Sequence, residues 1–169
     1  MNQAPSLRGE QLVNALQSLG LEFIMSRKTE SAEIPPVDLI TALAQSEEAR
    51  LRLSLIPLFL AYPEFSAYVA KAARELRSSA LLTLKCYYTA AVFLQQIHHD
   101  QLNKLLGKKN SLPDLFSIDL GIETSTNMQD NLKALAKRQQ IRSHTHINWL
   151  GTYEHAVEVW MKGLELQRS

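Results

Sequence analysis

The stretch Ala80–Leu94 constrains this chain more than any other. Lys85 is its one charged residue, and its apolar side chains fall on every side of a helical wheel. A helix that is apolar all round has to be enclosed by other elements rather than laid on a surface. At fifteen residues it is shorter than the roughly 20 that cross a bilayer. The enclosure must therefore come from the rest of the chain, and the same holds for the apolar run Leu53–Ala61. The central helix is expected to follow a bend at Ser78-Ser79, to turn polar from Gln95 and to stop at Gly107. Lys104 then sits near the negative end of its dipole. This places a buried helix near 80–106.

What surrounds it reads as further helices. Leu12, Ala15, Leu16 and Leu19 recur at helical spacing, predicting a helix from Leu7 to Leu19 with Ser6 as cap and Gly20 as stop. Ser26 to Glu33 is polar and reads as a loop. Pro36 suits the first turn of a helix reaching Ala44. Ser46, followed by Glu47 and Glu48, resembles a cap with two carboxylates at the positive dipole end. The helix it opens meets Pro57, which removes the bond to the Leu53 carbonyl and predicts a kink. A strand is the competing reading of that run, but its leucine richness and length favour a helix. Pro63 opens another helix, with Phe65, Val69, Ala72, Ala73 and Leu76 on one side and Lys71, Arg74 and Arg77 toward water. Residues 108–123, with Pro113 and Gly121, read as a long connection holding a short helical turn. Thr126-Asn-Met-Gln129 matches a capping box and predicts a helix to Ile141. A last helix starts near Thr152, with Tyr153, Ala156, Val157, Trp160 and Leu164 as its apolar stripe and Glu158 and Lys162 paired outside. No repeat and no sheet pattern appears. The expectation is an all-α, irregular helical bundle of six to seven helices, with 1–169 as a single helical domain.

Composition narrows the functional classes. The only cysteine is Cys86, so no intramolecular disulfide forms and a cytoplasmic setting is the default. Met1–Glu10 lacks an apolar signal core, so export is not expected, and no membrane span is read. Net charge is +1, which gives no overall drive toward nucleic acid, and no helix-turn-helix pattern stands out. Direct DNA binding is therefore the lesser expectation. The charge is uneven, however: residues 66–110 carry seven Lys/Arg against two Asp/Glu. An acidic partner would meet an apolar patch with a basic rim, drawn either from Lys71, Arg74, Arg77 and Lys85 or from Lys133, Lys137 and Arg142. A homodimer is compatible with the leucine content, although no heptad seam is present.

The search for chemistry returns little. His98-His99-Asp100 are adjacent, so on a helix they point about 100° apart. His144-x-His146 lacks a third ligand, and no metal site is expected. Cys86 lies within an apolar helix, where a thiol behaves as a small hydrophobe. No phosphate-cradling glycine loop, serine elbow or HExxH is present, and no cofactor is expected. One spacing stands out. Arg138-Gln-Gln-Ile-Arg-Ser-His144 is similar to the arginine-histidine signature of the HEPN superfamily of small helical ribonucleases. That resemblance implies Arg138 and His144 flanking a scissile phosphate, arginine on the developing charge and histidine moving protons, with Arg142 and His146 as helpers. A second resemblance rests on Arg50-Leu-Arg-Leu-Ser-Leu-Ile-Pro-Leu-Phe-Leu-Ala-Tyr-Pro63 and Asn148-Trp-Leu-Gly-Thr-Tyr-Glu-His155. These segments resemble small helical bacterial proteins that accompany nucleotidyltransferase-type toxins. It implies a non-enzymatic, antitoxin-like interaction protein that binds a protein partner and has no catalytic residues, and this is the leading expectation. The metal-independent ribonuclease is the alternative.

Overall fold

The computed structural model describes residues 9–21 and 34–168. The fold is all-α: nine α-helices and one 3-10 helix, with no strand among the described residues. In order they are α1 (Gly9–Ser18), α2 (Pro36–Gln45), α3 (Ala49–Leu53) and α4 (Leu55–Ala61), then the 3-10 helix (Pro63–Tyr68) and α5 (Val69–Glu75). The chain continues with α6 (Ser78–Ile97), α7 (His99–Leu106), α8 (Met128–Ser143) and α9 (Trp149–Arg168). The expected helices are present, and three of them are divided, the one opened by Pro63 into the 3-10 helix and α5. The kink predicted at Pro57 falls upstream, at Ser54, between α3 and α4. Ser54 Oγ donates to the Leu51 carbonyl at the break. Pro57 is thereby left in the first turn of α4, where a helix needs no donor. The central helix is interrupted once, at His98, before α7 runs on to Gly107 with φ of 77°.

Four helix starts differ from the reading of the sequence; at one of them α6 begins at Ser78, with the break at residues 76–77 rather than at Ser78-Ser79. Ser46 closes α2, its N–H bonding the Leu43 carbonyl, and α3 begins after Glu48. The cap of α8 is Asn127 rather than Thr126; its Oδ1 accepts from the Asp130 N–H at 3.1 Å. α9 begins at Trp149, three residues before Thr152, because Asn148 Oδ1 accepts from the Gly151 N–H at 3.0 Å and caps it there. An asparagine beside a threonine is the stronger cap, which accounts for the shift at α8. Glu158 and Lys162 are not among the ion pairs of the described residues, which are Arg50–Glu48, Lys85–Asp119 and His99–Asp100. Ser6 and the loop at 26–33 lie outside the described residues. Among the described residues no single helix is long and apolar enough to cross a membrane; α3–α4 and the 3-10 helix with α5 pass together by length and composition, but bent by 115°.

α6 is the axis of the core. Leu84 and every residue from Cys86 to Leu94 are buried, enclosed by α8, α4, α2 and α9. One side of α6 is covered by chain without regular helix, the strap from Gly107 to Asn127. Three α6 side chains spaced along one face hold it. Gln95 Nε2 donates to the Asn110 carbonyl at 2.9 Å, and Gln95 Oε1 accepts from the Leu112 N–H at 2.7 Å. Tyr88 OH donates to the Pro113 carbonyl at 2.6 Å, and Lys85 Nζ lies 3.4 Å from Asp119 Oδ2. Positions 85, 88 and 95 share a helical face. Lys85 thus interrupts the apolar run because it anchors the strap, its stem lying along the core with the ammonium 5.7 Å from the Phe116 ring centre.

Candidate functional site

The strap folds into one capped helical turn. Asp114 Oδ1 accepts from the N–H groups of Phe116 and Ser117 at 3.3 and 3.0 Å, closing its N-terminal end. Leu120 N–H bonds the Phe116 carbonyl and Ile122 N–H the Ser117 carbonyl, with Gly121 at φ of 73° as the stop. Two arginines of α8 reach the far end: Arg142 Nη2 donates to the Asp119 carbonyl at 3.0 Å and Arg138 Nη2 to the Gly121 carbonyl at 3.3 Å. Together with Lys85 they place three cations at the negative end of the turn, where cations stabilise a helix. Glycine suits position 121 for its φ, and a Cβ there would lie 3.2 Å from Arg138 Nη2, which would have to shift slightly.

This turn presents Ile118, which is 94% exposed, and Leu115, 41% exposed. On α8, whose Arg138 and Arg142 reach the turn, an outer stripe carries Lys133, Lys137 and Ile141 four residues apart, all exposed. The cations expected to bind a partner are therefore regrouped. Lys85 joins Arg142 through Asp119, next to the stripe that holds Lys133 and Lys137. Lys71, Arg74 and Arg77 stay exposed on and just after α5, which packs on α2, the 3-10 helix and α6.

The second feature is a cleft of about 1150 Å³ between the C-terminal end of α2, the start of α6 and the C-terminal end of α8. Arg52, Tyr87, Gln139, Arg142, His144 and Trp149 line it. His144 terminates α8 in the left-handed region, φ 57°, a conformation that histidine tolerates better than most side chains. Gln139 is buried and receives the hydroxyl of Tyr153. Burial pushes the Tyr87 hydroxyl up to about 12, opposed chiefly by the nearby Arg52 guanidinium. Of the arginine-histidine pair singled out in the sequence, His144 lines the cleft and Arg138 does not; Arg142 shares it with His144. His146 Nδ1 lies 3.4 Å from Gln140 Nε2. His99 Nδ1 is 3.2 Å from Asp100 Oδ1, and no group of three or more His, Cys, Asp or Glu among the described residues could hold a metal ion.

Of the residues that carry the second family resemblance, those of the first segment are mainly core and those of the second are mostly half-buried. Leu51 and all of Leu55–Ala61 are buried, and Tyr153 and Trp149 pack against Tyr87 with ring centres 6.2 and 6.4 Å away. Ile118 escaped notice because nothing in its local sequence separates it from the buried Phe116 and Leu120. The available signal was the pair of ends, Pro113-Asp114 and Gly121, which marks a capped turn but not its outward face. No protein-family model, no curated protein and no solved structure matches the chain.

Proposed function

We propose that this is a non-enzymatic interaction protein that binds a protein partner through the Asp114–Gly121 turn and the outer stripe of α8. The observation that carries this reading is Ile118, 94% exposed on a turn capped by Asp114 and held by Lys85, Arg138 and Arg142. Burying an isoleucine contributes roughly 1.5–3 kcal/mol. A free loop would lose much of that to ordering, which costs about 0.5–1.5 kcal/mol per immobilised side chain. A turn fixed beforehand keeps it, and this is the behaviour of an interface anchor. The fitting partner offers an apolar socket edged with carboxylates, matching Lys133, Lys137 and the free donors of Arg138 and Arg142.

The resemblance to companions of nucleotidyltransferase-type toxins supplies the partner class, and in this reading the protein is antitoxin-like. Because most of the first segment that carries the resemblance is core, it supports a shared fold, and the partner contacts are assigned to the turn. The test is a pull-down with tagged wild type and Ile118→Asp, with the retained proteins identified by mass spectrometry. A stoichiometric nucleotidyltransferase retained by wild type and lost by the variant, at unchanged circular dichroism and melting temperature, is the expected result. Equal retention by both overturns the assigned surface.

The alternative, a metal-independent HEPN-like ribonuclease using Arg138 and His144, gains support from the place of His144 in the cleft. With Arg138 outside its lining, Arg142 is the arginine placed to serve. That reading requires RNA cleavage without added metal, lost in His144→Ala; equal cleavage by both proteins eliminates it.

A further inference from the structure

We infer that the cleft between α2, α6 and α8 is a binding site for a phosphorylated aromatic small molecule, with the phosphate held between Arg52, Arg142 and His144 and the organic part against Trp149. Three separate elements bring these groups to one cavity: α3 supplies Arg52, the C-terminal end of α8 supplies Arg142 and His144, and α9 supplies Trp149. Neither arginine is paired with a carboxylate among the described residues. Each guanidinium uses one donor on a backbone carbonyl, Arg52 on Ser46 at 2.8 Å and Arg142 on Asp119 at 3.0 Å. A guanidinium carries five N–H donors in a fork suited to phosphate, so each keeps donors for a ligand.

The rest of the lining agrees in sign and in shape. Glu47 is the one carboxylate along the cavity, so the two arginines outweigh it. The start of the 20-residue α6, through Ser78, Ser79 and Ala80, forms part of the same wall, and no side chain caps it. Its N–H groups add positive potential to that of the arginines. Trp149 gives a flat apolar surface, and its buried Nε1 has no hydrogen-bond partner. At about 1150 Å³ the space exceeds that of a bare anion and accepts a ligand of nucleotide size. The inference shares Arg142 with the partner surface on the 114–121 turn but does not use Ile118, so the Ile118→Asp pull-down and the ligand titration test the two readings separately.

The experiment uses the emission of Trp149 in a Trp160→Phe background, because these are the two tryptophans of the chain. AMP, adenosine and inorganic phosphate serve as probes at low salt. The expected result is a saturable change with AMP, competition by inorganic phosphate, and no response to adenosine alone. Arg52→Gln is expected to weaken AMP about tenfold, the loss of one charge-assisted contact, while Glu47→Gln tightens it. Arg52→Gln is checked by circular dichroism. Should it unfold, Glu47→Gln and the adenosine comparison still decide the matter. No saturable response at millimolar AMP overturns the inference, as does binding of adenosine equal to that of AMP, or affinity unchanged in a folded Arg52→Gln.

Discussion

Cys86 shows how completely environment decides the chemistry of a residue. Its thiol is fully buried in α6, and burial pushes its pKa up to about 12 even though Arg142 and Lys85 pull it down. Thiolate, the reactive form, is therefore nearly absent at neutral pH. Ellman's reagent should leave the native protein unmodified over hours and label one thiol per chain at once in denaturant. Rapid labelling of the native protein would mean that α6 opens far more readily than its packing implies. At this scale the sequence was legible where one residue type in one pattern has one outcome. Cys86 in an apolar run is such a case. It was opaque where a residue's role depends on a distant carbonyl: nothing near Arg138 in the chain says that it will be spent on Gly121.

Helices were read well as objects and less well at their ends. The apolar stripe of α9 follows from periodicity, because burial repeats every three to four residues. The central helix follows from its apolar run, and the Gly20 and Gly107 stops from glycine's ease at positive φ. Boundaries failed where neighbouring residues offer alternative starts, as with Thr126 and the stronger cap Asn127, or where a capping residue such as Ser46 instead closes the preceding helix. The strap could be recognised as a connection, but its path could not, because that path is set by Gln95, Tyr88 and Lys85 on another element. The cleft was invisible for the same reason, being assembled from α2, α3, α6, α8 and α9. α9 also offers a prediction. Gly163 lies inside it, and an added Cβ would meet nothing within 4 Å. Gly163→Ala should stabilise the protein by about 0.5–1 kcal/mol, raising the melting temperature by roughly 1–4 °C in calorimetry. Gly151→Ala should gain less, because the new Cβ would fall 2.6 Å from the Asn148 side chain that caps the helix.

Across the whole molecule, His98 couples acidity to folding. It lies at the joint between α6 and α7, and burial lowers its pKa; Glu158 and Glu154 of α9 oppose that effect without reversing it. The unfolded chain binds this proton near the ordinary histidine value of 6.5, and the folded one binds it only at lower pH. The stabilising contribution is therefore present above about 6.5 and is lost as pH falls through the depressed folded value. Urea midpoints measured between about pH 7.5 and 5.5 should fall for wild type and fall less for His98→Gln. Parallel lines for the two proteins would assign the acid sensitivity elsewhere. The strap carries a different consequence, one for divergence among descendants of this sequence. Gln95, Tyr88, Arg138 and Arg142 grip it by the main chain, at Asn110, Leu112, Pro113, Asp119 and Gly121. A strap held by its backbone leaves its exposed side chains such as Lys108, Lys109, Ser111 and Glu123 free to drift, while the four gripping residues on the helices, and the buried Leu112, Phe116 and Leu120 of the strap, have no such freedom. The exposed positions of this segment can thus vary and the strap keep one course, with much of the instruction for that course written in α6 and α8.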